Sequence, residues 1–288
     1  KDIFRTYFGS LSITRKFGKN TKLSLSAAAF HTNEQEKYDI QGQYWLTQTE
    51  TSENLGVGTY MEHARNYLEA TVKSAKLTFN HKTKKHDIEA GLTYKIESIK
   101  ENSKEYEMRD SSGYSIPHTG EDLYMIYSLN ARNSLDANRI EAYAQDTWRF
   151  TSRGGHTFFT LNYGIRFSHW NFNKESIISP RVSLGIIPAF NHDVTLRFAT
   201  GIYYQAPFFK ELRDTTTVNG ITYATRNRDI KSQRSIHFIA GFDYRFKMKN
   251  RPYKFTAEAY YKALSNIIPY TVDNVKIVYD ASLQCSGH

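Results

Sequence analysis

Residues 157–170, TFFTLNYGIRFSHW, interleave two sequences: Phe159, Leu161, Tyr163, Ile165 and Phe167 form one, Thr160, Asn162, Gly164, Arg166 and Ser168 the other. Successive side chains of an extended chain point to opposite faces, so strict alternation dictates a β-strand with one apolar and one polar face. The deciding question is what the apolar face touches: the core of a soluble sandwich, or the hydrocarbon of a membrane.

The pattern recurs. Ile88, Ala90, Leu92, Tyr94 and Ile96 alternate with Asp87, Glu89, Gly91, Thr93 and Lys95. Val194, Leu196, Phe198, Ile202 and Tyr204 oppose Thr195, Arg197, Gly201 and Gln205. Residues 235–246 and 253–262 repeat it, with Ile239 the one intruder, and no helical period competes over any long window. An all-β chain follows. Ten strands are expected at roughly 5–15, 21–32, 66–79, 86–98, 138–150, 156–169, 178–188, 193–205, 234–247 and 252–263, with another starting near VKIVYDA (275–281). Most of these run about 11–14 residues, against about 5–6 for strands of soluble proteins. A tilted bilayer crossing takes about 9–11.

Connection lengths point the same way. Short turns at 16–20, 81–85, 151–155, 190–192 and 248–251 alternate with long loops of about 33 residues from His31, 39 from Ser98 and 28 from Ala206; the segment 169–178 is a modest exception. Outer-membrane barrels have short periplasmic turns and long external loops, whereas Greek-key connections would scramble that order.

Composition sets the remaining bounds. The chain has 288 residues, mean hydropathy −0.60 and no run of 18 uncharged apolar residues. That excludes a transmembrane helix but not a membrane barrel, whose alternation averages out. The start KDIFRTYFGS carries no signal peptide and reads as a mature or internal piece. The single cysteine, Cys285, excludes an internal disulfide framework and a cysteine-based zinc cage. A net charge of +9 raises nucleic acid as a partner. The basic residues sit largely in turns, however: Arg15, Lys16, Lys19 and Lys22 in one, Lys247, Lys249, Arg251 and Lys254 in another. No contiguous footprint for phosphates results, so nucleic acid is not expected. Such turns are solvated, or meet anionic lipid head groups.

Charges avoid the apolar face, where an Arg or Lys at mid-bilayer would cost about 2–4 kcal/mol. A soluble core would exclude them equally. Residue size decides: Ala142, Ala144, Ala240, Ala257 and Ala259 lie mid-strand on that face, with Trp, Tyr and Phe toward the ends. Small residues between aromatic margins match an aromatic girdle better than a packed core. Asp146 is the exception, in phase with Ile140, Ala142, Ala144 and Trp148. It requires either a bulge or a position at the membrane boundary.

The stretches EAYAQDTWRF (141–150), LNYGIRFSHW (161–170), ISPRVSLG (178–185), LRFATGIYYQAPFFKEL (196–212) and AEAYYKALSNIIPY (257–270) resemble, in order and spacing, the barrel of TonB-dependent outer-membrane receptors, particularly of the Bacteroidetes type. The resemblance covers most of 138–280; residues 1–137 fit through strand pattern alone. It implies a transmembrane antiparallel up-and-down β-barrel in the outer membrane of a Gram-negative bacterium. Residues 1–288 would supply ten or eleven strands of a larger barrel, about 22-stranded in that family. The plug domain and final strands would lie outside this sequence. The implied activity is import of a scarce sugar, peptide or metal chelate with energy from TonB, reached through the plug. The implied partners are outer-membrane lipid, TonB, and a surface lipoprotein or other outer-membrane subunits. A barrel with a structural or docking role in a surface-protein complex is the alternative.

Candidate ligand residues are Tyr44 and Trp45 in the first long loop, and Phe208, Phe209, Lys210 and Arg213 after YYQAP; packing of loop on loop is the plainer reading of each. On the lumen face, Arg166, Arg181, Arg197 and Arg245 either hold acids of a plug or pair with Glu141, Asp243 and Glu258 on neighbouring strands, the preferred reading for most. Pro180 suits a strand start. His81 and His86 bracket a basic turn without acid or thiol ligands nearby, so neither metal nor cofactor is expected. No nucleophile elbow, phosphate-binding loop, HExxH or dinucleotide fingerprint occurs, and no enzymatic role is expected.

Overall fold

The structure is a computed structural model that describes residues 1–110, 123–219, 221–273, 276–279 and 285–287, with backbone only at 44, 46, 54–57 and beyond 270. Its strands are β1 (Asp2–Phe17), β2 (Thr21–Thr47), β3 (Asn54–Lys82), β4 (His86–Asp110), β5 (Tyr124–Thr151), β6 (Phe158–Trp170), β7 (Glu175–Ile187) and β8 (Val194–Gln205). A 3₁₀ turn (Phe209–Leu212) leads to β9 (Arg213–Val218) and β10 (Ile221–Arg226). Then come β11 (Gln233–Met248), β12 (Arg251–Ile267), β13 (Tyr270–Asp273), β14 (Lys276–Tyr279) and β15 (Cys285–Gly287). Each strand from β1 to β8 pairs antiparallel with the next, β8 pairs with β11, and β11 with β12. This is an up-and-down sheet with β1 at one margin and β12, joined by β15, at the other.

All ten expected strands are present, but two long loops are not loops. β2, β3, β4 and β5 run 27, 29, 25 and 28 residues, paired in register almost throughout. The segment from His31 becomes the outer halves of β2 and β3, and that from Ser98 the outer halves of β4 and β5. These strands exceed one crossing by about 15 residues and form a sheet that stands clear of it. The connection after Ala206 is the 3₁₀ turn and the β9–β10 hairpin. β6 reaches only as far as the Arg139–Trp170 pair. Beyond that point β10 takes its place, pairing in parallel with Leu129–Ala131 of β5. The hairpin thereby covers a backbone edge that β6 leaves open.

The apolar phase is continuous across the registers. Leu25, Leu77, Leu92, Ala142, Phe167 and Ile178 follow one another from β2 to β7. Leu184, Phe198, Ala240 and Ala259 follow from β7 to β12. Ile165, Leu92 and Phe238 on this face are 52%, 52% and 53% exposed, so the face is no core. An apolar surface spanning ten strands exceeds anything a soluble monomer leaves to water. Toward the short turns, Trp148–Phe150, Phe150–Phe159, Tyr244–Phe246 and Phe246–Tyr253 stack at 4.4–5.6 Å, forming an aromatic belt. At the other boundary a polar row crosses the same face: His31 bonds Thr71 at 2.9 Å, Ser98 donates to Asp136 at 2.7 Å, and His169 bonds Ser176 at 2.8 Å.

Three expectations are corrected or resolved. Asp146 lies on the apolar face with no bulge beside it, opposite Ile88 and Tyr163. It sits near the short turns, where His86 (2.7 Å), the Tyr163 hydroxyl (3.0 Å) and the Asp87 amide (3.2 Å) satisfy its carboxylate. Pro180 falls inside β7 rather than at its start; the β7–β8 ladder begins one residue later, at Arg181, so the absent N–H removes no bond there. The strand expected near VKIVYDA is β14, which pairs with β13 in a separate two-stranded sheet, while β15 joins β12; residues 275, 280 and 281 of that stretch lie outside the described ones.

Candidate functional site

The alternation that fixes the membrane face also fixes what the opposite face presents beyond the bilayer. Glu34, Glu36 and Tyr38 of β2 stand in register with Leu68, Asn66 and Ala64 of β3. Those meet Glu101, Ser103 and Glu105 of β4, with Glu62 directly opposite Glu107. The wall so formed is acidic, and its carboxylates are held close. Asn66 donates to Glu105 at 2.7 Å and to Glu36 at 3.1 Å, and Tyr127 donates to Glu105 at 3.5 Å. Arg109 binds Glu107 at 2.5 Å. Glu62, Glu101 and Glu107 are only 4–7% exposed. Burial, then the negative charge of Glu105, Glu36, Glu62 and Glu107, pushes the Tyr38 hydroxyl up to about 12. Burial and Glu105 push Tyr127 up as well. On the reverse face of the same strands, hydrogen bonds from Arg65 (2.6 Å) and His63 (2.5 Å) hold Asp39 below the usual carboxylate range.

The insert after β8 closes onto this wall. Leu212 and Ile230 bury themselves with Leu135 and Ala137 of β5, Trp170 and Phe172 at the β6–β7 turn, and Ile268. Arg213 pairs with Glu101. Phe209, Lys210 and Arg213 then line a cavity of about 190 Å³ with Glu34, Glu36, Asn66, Glu101 and Ser103.

Three of the six ligand candidates, Phe209, Lys210 and Arg213, are therefore brought together. Phe208 is not: its side chain is 61% exposed, and its amide donates to Glu211 at 2.7 Å, capping the 3₁₀ turn. Trp45 stands exposed near the tip of the β2–β3 hairpin, and the side chain of Tyr44 lies outside the described residues. Among the described residues, Arg197 is the one lumen arginine candidate that makes the expected carboxylate pairs, with Asp243 at 3.1 Å and Glu258 at 3.8 Å. Lys254 shares Asp243 at 3.3 Å. Glu141 binds Lys95 at 2.9 Å and no arginine. Arg166 and Arg181 lie instead over the rings of Tyr143 (5.7 Å) and Tyr203 (4.2 Å). Arg245 sits opposite Lys254 near the short turns. His81 and His86 diverge: one bonds Thr21 at 2.8 Å, the other Asp146.

The acidic wall escaped the reading of the sequence. Its signal was present: Glu34, Glu36 and Tyr38 alternate with Gln35 and Lys37, and Glu101, Ser103, Glu105 and Glu107 with Asn102, Lys104 and Tyr106. Polar residues on both faces hid it.

A family model described as TonB dependent receptor-like, beta-barrel, matches residues 2–281. The chain belongs to this family. It is a receptor barrel of the outer membrane, not an enzyme. The structure of the RagAB peptide transporter is similar over 97% of this chain and 33% of that one, at TM-score 0.50 and 10% identity. The copper transporter OprC matches 96% of this chain and 48% of its own, at TM-score 0.49 and 12% identity. The outer membrane transporter YddB from Escherichia coli matches 96% and 50%, at TM-score 0.42 and 11% identity. At 10% identity the likeness to the RagAB structure is one of fold alone. The receptor barrel described here spans about a third of the RagAB chain it matches. A sequence comparison with curated proteins gives no match.

Proposed function

We propose that this receptor barrel is part of an active importer that captures a scarce ligand outside the cell and passes it inward with energy delivered by TonB through a plug domain. Residues 1–288 would be one portion of a larger barrel whose plug and remaining strands lie outside this sequence. Support for the larger barrel comes from two sheet margins, β1 and the 251–263 part of β12, that have no outer partner among the described residues and that a membrane does not tolerate unpaired, and from the one-third coverage of the RagAB chain.

The observation that carries the capture step is the inward-facing wall of the outer halves of β2–β5, with Phe209, Lys210 and Arg213 folded against it. Carboxylates concentrated on a part-buried surface attract cations and hydrogen-bond donors and repel anions. Of sugars, peptides and metal chelates, ligands rich in amino and amide groups suit this wall, and anionic chelates do not.

The test compares spent growth media of the parent strain, a strain lacking the receptor and a strain lacking TonB, by untargeted mass spectrometry. The importer reading predicts one set of compounds that the parent removes and both deletion strains leave behind. Identical depletion in parent and receptor-deletion strains would refute it and turn attention to a docking role.

A further inference from the structure

The lumen wall is neutralised unevenly. On β8, β11 and β12, Arg197 and Lys254 share Asp243, and Arg197 also reaches Glu258. On β6 and β7, Arg166 and Arg181 make no hydrogen bond or ion pair with any described residue; the Nε of Arg181, like that of the paired Arg197, is shielded from water without an acceptor. Arg166 pairs in register with Ser179, and Arg181 with Gly164, so the two cations are diagonal neighbours on one face and repel each other. The two carboxylates that share a cavity with them are bound elsewhere: Glu141 by Lys95 at 2.9 Å, and Glu175 by the Ser232 hydroxyl at 2.5 Å.

The arrangement is built. Each guanidinium lies across a tyrosine, Tyr143 or Tyr203, which holds it flat. The tyrosines are held in turn: Tyr143 donates to Glu89 at 2.5 Å, and Tyr203 stacks on His237 at 4.5 Å. Gly201, opposite Arg181, keeps this space open, since a Cβ there would stand 3.0 Å from Arg181 Cγ and 3.2 Å from the Tyr203 ring. Both arginines line a polar lumen cavity of about 140 Å³, room for a carboxylate and a few waters.

We infer that Arg166 and Arg181 form a carboxylate-binding site in the receptor lumen, filled either by an acidic side chain of this protein's own plug or by a carboxylate of the passing ligand. Planar guanidiniums bind carboxylates through paired, charge-assisted hydrogen bonds, and one carboxylate between them removes their repulsion. The site goes beyond the importer reading, and its test does not require transport.

The experiment is phenylglyoxal labelling of the full-length receptor in detergent, with each arginine quantified by peptide mass spectrometry, with and without citrate as the carboxylate probe. Arg153, exposed in the β5–β6 turn, is the fast reference and Arg197, paired with Asp243, the slow one. Fast labelling of Arg166 and Arg181 that citrate slows tenfold or more, at constant ionic strength, supports the site and assigns it to the ligand. Slow labelling without citrate, together with a thermal midpoint several degrees lower in R166Q/R181Q and partly recovered in R166K/R181K, supports the site and assigns it to the plug. Fast labelling indifferent to citrate overturns the proposal. So does slow labelling with an unchanged midpoint in R166Q/R181Q, which means cover without a carboxylate.

Discussion

Along β6, Phe159, Leu161, Tyr163, Ile165 and Phe167 take one face and Asn162, Arg166 and Ser168 the other. Along the outer half of β2, Glu34, Glu36 and Tyr38 take one face and Gln35, Lys37 and Asp39 the other. Both are strands paired residue for residue with their neighbours. The first has hydrocarbon on one side and a polar lumen on the other, so its two faces differ in hydropathy. The second has water on one side and a part-buried acidic wall on the other, so they differ in charge and shape instead. Hydropathic alternation reports the contrast between two surroundings rather than the strand itself, and it fades where both surroundings are wet.

The largest test of this contrast is to place one charge in each region. Ile165→Arg puts a guanidinium on the lipid face of β6, midway along the strand, and should cost about 2–4 kcal/mol. Gln41→Arg, exposed on the corresponding face of β2 above the bilayer, should stay within about 0.5 kcal/mol. Urea unfolding of the full-length receptor in lipid vesicles reads both. Equal costs would erase the boundary between the regions.

A smaller effect compares one packing device that both regions share. Tyr143 lies over Gly91 in the membrane half, where a Cβ would meet its ring at 2.3 Å; Tyr60 lies over Gly42 in the outer half, at 2.4 Å. Gly91→Ala and Gly42→Ala must each displace a tyrosine, at about 1–3 kcal/mol. The cost should appear in global unfolding for Gly91→Ala. For Gly42→Ala it should appear mainly as faster local proteolysis of the β2–β3 hairpin, because that segment can open without breaching the barrel.

The legible part of the fold and the lost part divide at the same place. The spans at 156–169 and 234–247 could be read to within a few residues because lipid forbids exceptions on their outer face. The outer halves of β2–β5 obey no such prohibition, and residues 31–66 passed for loop. Phe209, Lys210 and Arg213 were legible as aromatics flanked by donors. The pairing preferred for Arg166 and Arg181 failed because strand order identifies which carboxylates are near, not which other cation, such as Lys95, has taken them.

The smallest effect is a titration. The Tyr38 hydroxyl ionises at about 12, against an ordinary value of 10.0. A group whose folded value is raised contributes stability fully below its unfolded value and loses it as pH rises through the folded one. The outer sheet should therefore weaken between about pH 10 and 12. Ultraviolet titration should show a late phenolate step that loses one tyrosine's amplitude in Tyr38→Phe and keeps that of Tyr127, while alkaline loosening of the β2–β3 hairpin should be blunted in that variant.

Depth profiling of β3 tests the division most directly. Single spin labels would be placed in turn at Leu77, Ala75, Lys73, Thr71, Arg65 and Met61, all in phase on the outer face, in a Cys285→Ser background of the full-length receptor in bilayers. Accessibility to dioxygen, which concentrates in hydrocarbon, is then compared with that to a water-soluble nickel chelate. Dioxygen should dominate at Leu77 and Ala75, the two should cross near Lys73 and Thr71, and the chelate should dominate at Arg65 and Met61. A profile without a crossover, or one in which dioxygen still dominates at Met61, would contradict a sheet that leaves the membrane halfway along its own strands.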